Sequence, residues 1–171
     1  MIPKKNQPYF KMTHQTNDGA NNLIEGILTC CNSHDFEVLV VGKIKHSVFS
    51  KMYLFPENDK TIIEVRCRNC GKVISVFDSS CDGYEQCGKE QYGKEQYGKE
   101  QYTHVLTKPI CCKKCRNGGF SVGIKYEYPN IQELEELEIT QIDNAFTWIW
   151  ITLGCNNCGT IYKNFVDCET T

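Results

Sequence analysis

Two cysteine pairs near the C-terminus have the spacing that chemistry needs. Cys112-Lys-Lys-Cys115 and Cys155-Asn-Asn-Cys158-Gly159 each place two thiols two residues apart. Such a pair can curl round one ion while backbone N–H groups of the turn donate to the sulfurs, and a following glycine supplies the φ > 0 that the turn requires. Together the four thiols fit one tetrahedral metal site. Full four-ligand coordination leaves no open position for water or substrate, which favours a structural ion over a catalytic one.

A second set stands earlier in the chain. Cys67-Arg-Asn-Cys70-Gly71 repeats the C-x-x-C-G pattern, and it is preceded by Cys30-Cys31-Asn-Ser-His34. Cys31 precedes Phe36 by five residues, as Cys115 precedes Phe120, and Phe36-x-Val38 matches Phe120-x-Val122. The fixed order of these features suggests a duplicated unit. In this first copy Cys31, Cys67 and Cys70 supply three ligands. The fourth is His34, giving C-x-x-H, or Cys30, as if two residues of C-x-x-C had been deleted. Adjacent cysteines chelate one ion only with strain, so His34 is preferred and Cys30 stands as the alternative.

These knuckles, Cys67–Cys70, Cys112–Cys115 and Cys155–Cys158, resemble the zinc-ribbon class. The resemblance implies a structural Zn2+ in each unit, two per chain, and says little about purpose. An all-cysteine site also suits iron, as in a rubredoxin-like centre; a histidine ligand argues against iron in the first unit. A unit of roughly 60 residues has a thin core, buries only about 60% of its unfolded surface and is marginal alone. Structural zinc offers folding roughly 10–16 kcal/mol at neutral pH, which exceeds that shortfall.

The elements that must position these ligands read as β-strands. FSVGIKY (120–126) alternates as a half-buried strand, and FTWIWITL (146–153) reads as one buried on both faces. FEVLVVG (36–42), TIIEVR (61–66) and KVISVF (72–77) are their counterparts in the first copy, while NIQELEELEITQI (130–142) fits a short acidic helix or a strand edge. Between the copies lies GYEQCGKEQYGKEQYGKEQY (83–102), whose five-residue period matches neither helix nor strand. Its composition suggests a flexible low-complexity linker. The expected architecture is mainly β: a flexible polar tail (1–22), a zinc-ribbon-like unit (23–82), the linker (83–102) and a second zinc-ribbon-like unit (103–171).

Composition narrows the functions. Twelve cysteines in 171 residues could serve disulfides or metal. The N-terminal stretch has no apolar run fit for a signal peptide, and AFTWIWITL (145–153) is about half a bilayer span. A reducing cytoplasm and metal-bound thiols are therefore expected, with no membrane role. Net charge is −2, and no segment forms a basic stripe: three Lys face one Asp in 1–22, and six basic residues face eight acidic ones in 103–171. No GxSxG, GxxxxGK[ST], HExxH or GxGxxG pattern is present. The carboxylates of ELEELE read as a solvated face. Cys81, Cys87, Cys111 and Cys168 have no ligand spacing, and Cys87 stands where the repeat has Tyr. The expected function is a non-enzymatic module for a protein partner. Nucleic-acid binding, through Lys113, Lys114, Arg116 and the tail lysines, is the alternative, and a redox or electron-transfer role the third reading.

Overall fold

A computed structural model of the chain describes residues 1–17, 19, 21–46, 51–56, 60–89, 109–136, 139 and 142–170. The protein is mainly β and antiparallel. The strands are β1 (Phe10–Asn17), β2 (Asn21–Leu28), β3 (Phe36–Val41), β4 (Lys43–His46), β5 (Met52–Phe55), β6 (Ile62–Cys67), β7 (Val73–Asp78), β8 (Phe120–Pro129), β9 (Trp148–Cys155) and β10 (Ile161–Glu169). Two short helices, α1 (Tyr84–Lys89) and α2 (Ile131–Glu136), complete the described elements with two single 3-10 turns. β4 and β5 form a separate hairpin, and the other eight strands join one sheet.

Each copy places its ligands in the same way. In the first, a knuckle leads into β3, β3 pairs with β6, and the second knuckle links β6 to β7. In the second, a knuckle leads into β8, β8 pairs with β9, and the second knuckle links β9 to β10. The registers agree: Phe36 lies opposite Cys67, and Phe120 lies opposite Cys155. Phe36 and Phe120 then pair with each other across β3 and β8. Equivalent residues of two copies meeting antiparallel define a local two-fold axis, the geometry of an isologous interface. One row, Cys67–Phe36–Phe120–Cys155, thus crosses β6, β3, β8 and β9.

The copies also share their interior. Val38, Ile63, Val65 and Phe77 from the first and Val122, Ile124, Tyr126 and Ile151 from the second belong to one buried cluster. Phe77 packs on Phe146 at 6.3 Å between ring centres. Asn6, fully buried, donates from Nδ2 to the Val76 carbonyl and to the Tyr126 hydroxyl, both at 2.9 Å, and so ties β7 to β8.

Three expectations differ from this picture. Residues 10–17 are a strand in place of part of a polar tail. β1 is exposed along most of its length and lacks apolar alternation, but its backbone pairs with β2 from Phe10↔Leu28 to Asn17↔Asn22. Phe10 covers Gly26, where any Cβ would strike its ring, and lies 5.9 Å from Tyr126. β2 in turn pairs with β8, seven residues deep, so a strand from before the repeat sits beside one from after it. β9 is buried on one face only: Ile149, Ile151 and Leu153 point inward, while Trp148 and Trp150 stack on the outer face at 5.6 Å. Within 83–102, residues 84–89 form α1, anchored by Tyr84 N–H on the Phe146 carbonyl and Glu85 N–H on the Thr170 carbonyl. Cys87 packs with Leu134, Ile139 and Ala145 in a small second cluster. The GKEQY units from residue 90 lie outside the described residues. The acidic segment at 130–142 forms a helix over 131–136, with Leu134 buried.

Candidate metal centres

Two groups of four thiols form at the knuckles. Cys30, Cys31, Cys67 and Cys70 make one, and Cys112, Cys115, Cys155 and Cys158 the other; within each group the sulfurs lie within 4.8 Å of one another. In the first group Cys30 lies 3.6 Å from Cys70, and Cys31 3.6 Å from Cys67. In the second, Cys112 lies 3.6 Å from Cys158, and Cys115 3.5 Å from Cys155. Four sulfurs held about 2.3 Å from a common centre in a tetrahedron stand about 3.8 Å apart. Both quartets could hold a metal ion of that kind. None of the twelve cysteines forms a disulfide.

The second knuckle of each copy is built identically. Cys67 N–H donates to the Lys72 carbonyl and Gly71 N–H to the Cys67 carbonyl, both at 2.8 Å. Cys155 and Gly159 make the same bonds to Thr160 and Cys155, at 2.8 and 2.9 Å. Gly71 and Gly159 have φ of 76° and 69°, the left-handed turn that the C-x-x-C-G pattern predicts.

The first knuckles differ, and here the preferred ligand is replaced. His34 does not join the first group. Its Nδ1 lies 3.1 Å from the Leu28 carbonyl, which can only accept, so that nitrogen carries the proton and faces the backbone. Cys30 takes the place beside Cys70. Adjacent thiols reach one point because Cys31 and Asn32 both adopt positive φ, 45° and 60°. Cys30 and Ser33 bond to each other in both directions, N–H to carbonyl, at 3.0 and 2.8 Å. This is the arrangement of a type I′ turn, which folds the Cys31 side chain back beside that of Cys30. The strain that adjacent ligands entail resides in this left-handed pair. In the second copy the equivalent turn is two residues longer. Cys112 N–H donates to the Asn117 carbonyl at 2.7 Å, and Arg116 N–H to the Cys112 carbonyl at 2.8 Å.

The thiols of each quartet are not equivalent. Cys70 is lowered to about 7, first by the Lys72 backbone N–H and then by the sulfurs of Cys30 and Cys31. Burial pushes Cys30 up to about 12, aided by protons shared with Cys70 and Cys67. At the second site burial opposes ionisation of Cys112, but the Tyr162 hydroxyl and the N–H groups of Cys115 and Lys114 outweigh it and bring it to about 6. Burial raises Cys155 to about 11. Cys158 is lowered by the hydroxyl of Thr160, 3.1 Å away, and by its N–H. In each quartet one thiol is held below its ordinary value, Cys70 or Cys112, and one buried thiol above it, Cys30 or Cys155.

Sequence reasoning missed three polar neighbours. Tyr162 Oη lies 3.2 Å from the Cys112 sulfur and accepts from Lys113 N–H at 2.9 Å. Asn69 Nδ2 donates to the Cys31 sulfur at 3.2 Å. Asp35 joins the copies: its carboxylate accepts from Arg68 Nη1 at 3.2 Å and from Asn156 Nδ2 at 2.7 Å. No spacing rule marks these, since each depends on where a different strand ends. The remaining thiols stand apart. Burial and the carboxylates of Asp82 and Asp78 push Cys81 up to about 11, burial and Asp167 raise Cys168, and Cys111 is exposed. His14 is exposed on β1, and His104 lies outside the described residues. Among the described residues no helix is long and apolar enough to cross a membrane. Two four-cysteine groups in a mainly β protein are compatible with zinc-ribbon-like units. No protein-family model, curated protein or solved structure matches the chain.

Proposed function

We propose that the chain is a non-enzymatic module with two structural zinc ions that serves a protein partner. The observation that carries this reading is the convergence of four sulfurs in both groups. Coordination of that kind suits zinc, or iron as the competing ion, and leaves no place for a substrate.

Charge supports a protein partner over a nucleic acid. Arg68, Lys72, Lys113, Lys114 and Arg116 are all exposed around the knuckles. Four thiolates round one dication, however, leave each loaded centre with a formal charge of about −2. Two such centres largely offset these cations, and Asp35 already pairs with Arg68. A phosphate backbone would meet little net attraction there. The outer sheet face instead offers the stacked Trp148 and Trp150, a residue type enriched at protein hot spots. Lys125 lies 4.9 Å over the Trp150 ring and pairs with Glu25 at 3.5 Å.

Elemental analysis of the protein from its own host tests the metal, with two zinc ions per chain expected. One ion, or mainly iron, would sink the paired-zinc reading. Binding to RNA or DNA that falls steeply between about 50 and 200 mM salt would move the partner to nucleic acid. Native mass spectrometry from the host should show a co-purifying protein that is lost in the Trp148→Ala/Trp150→Ala variant.

A further inference from the structure

We infer that Asp35 is a positioning residue shared by both metal centres, and that through it loading of one centre promotes loading of the other. The inference rests on the structural-metal reading above. Its basis is the two-fold junction, where the second knuckles of both copies converge on a single carboxylate.

Asp35 immediately precedes Phe36, and Gly119 occupies the equivalent place before Phe120. Arg68 directly follows the ligand Cys67, and Asn156 directly follows the ligand Cys155. Their backbones behave alike: Arg68 N–H donates to the Asp35 carbonyl at 2.9 Å and Asn156 N–H to the Gly119 carbonyl at 3.1 Å. Their side chains do not. Both turn to the same Asp35 carboxylate, Arg68 on one oxygen and Asn156 on the other. The bridge is possible because position 119 lacks a side chain; a Cβ there would collide with Arg68 Nη1 and Asp35 Oδ1. One copy thus supplies the carboxylate and the other the space for it.

A metal ion fixes the residue after each ligand along with the ligand itself. When the first centre closes, Cys67 and Arg68 are held, and Asp35 is oriented by Arg68. Asn156 then finds its acceptor in place, and with it Cys155. The cross-strand row from Cys67 through Phe36 and Phe120 to Cys155 carries the same constraint through the backbone. Ordering done for the first ion need not be repeated for the second, which is positive coupling between sites. By linkage it is reciprocal.

The test is a zinc titration of the metal-free chain followed by native mass spectrometry, counting molecules with no, one and two ions. Two independent sites, equal or unequal, leave at least about half the molecules singly loaded at half-saturation. Where the intrinsic affinities lie within about tenfold of each other, coupling of about fivefold or more, within the usual range, pushes that fraction below half. Asp35→Ala should raise the singly loaded fraction while two ions still bind at saturation. Gly119→Ala, which drives a Cβ into the bridge from beyond the repeat, should do the same. A wild-type fraction of half or more overturns coupling of that size between sites within about tenfold of each other, and variants that match wild type overturn the role of Asp35. Fewer than two ions at saturation would instead refute the metal reading, so the two failures are distinguishable.

Discussion

The two centres have one design and unequal shelter. In each, the ligand that ends the inner strand (Cys67 or Cys155) and the first ligand of the leading knuckle (Cys30 or Cys112) are buried. The other two ligands differ. Cys31 and Cys70 are exposed, whereas Cys115 and Cys158 are half-buried. The second centre adds hydroxyls: Tyr162 on Cys112 and Thr160 on Cys158. The first centre has Ile74 and Lys72 at those positions, so neither can give a hydroxyl there. Its shorter leading knuckle also needs two consecutive left-handed residues. The difference teaches that the two units share their strand registers and the C-x-x-C-G knuckle, while the surroundings that tune the ligands differ.

The largest expected effect concerns what the centres share. Cys155→Ser removes a buried ligand and forfeits much of a binding energy of roughly 10–16 kcal/mol, comparable to the roughly 5–15 kcal/mol of a typical domain's stability. Because β2 pairs with β8 and the core is common, amide protection should be lost on both sides of the repeat, in β3, β6 and β7 as well as in β8 and β9. Cys67→Ser should give the same pattern. Loss confined to one copy would mean that the halves fold separately, as the sequence alone suggests.

That contrast shows what the sequence could and could not convey. The strands flanking the knuckles were legible because alternation and C-x-x-C-G spacing are local signals, and three of the four knuckles follow directly from them. Sharing of the sheet was not legible. It depends on β2, whose partner lies about a hundred residues away in sequence, and on the Phe36↔Phe120 pair between β3 and β8. Cys30 was half legible: counting back from Phe36 exposes a two-residue deletion, but only the backbone shows that a type I′ turn makes adjacent thiols converge. Asp35 was not legible at all, since its partners become neighbours only at the two-fold junction.

Exposure predicts an order of metal loss. With cadmium as a reporter for each site, a strong chelator should extract the ion at Cys30, Cys31, Cys67 and Cys70 several-fold faster, because Cys31 and Cys70 can be attacked from solvent. Cadmium NMR would assign each loss to its centre. Equal rates, or earlier loss from the second centre, would mean that shelter does not control release.

Tyr162→Phe should narrow the gap. It removes one hydroxyl from the Cys112 sulfur and leaves Lys113 N–H without its acceptor, a cost of about 1–3 kcal/mol for a partly buried polar network. The second centre's affinity should fall accordingly in competition with a chromophoric chelator, while the first centre's intrinsic site is untouched by this side chain. Unchanged affinity would show that the hydroxyl contributes nothing once the ion is present.

The smallest effect separates the two leading knuckles by their backbone strain. The first carries its positive φ on Cys31, which as a ligand cannot be exchanged, and on Asn32, a residue type that tolerates that region. The second carries it on Arg116, at 64°. A left-handed residue with a Cβ costs roughly 1–2 kcal/mol, whereas glycine there costs chain entropy in the unfolded state of about 0.5–1 kcal/mol. Arg116→Gly should therefore stabilise the loaded protein by about 0.5 kcal/mol, and Asn32→Gly should give nothing or a slight loss. Removing Arg116 also takes a cation from beside an anionic centre. Denaturant unfolding is best compared near 1 M salt, where the screening length shrinks to about 3 Å and that contribution fades. If both substitutions shift stability equally, strain is not concentrated where the dihedral angles place it.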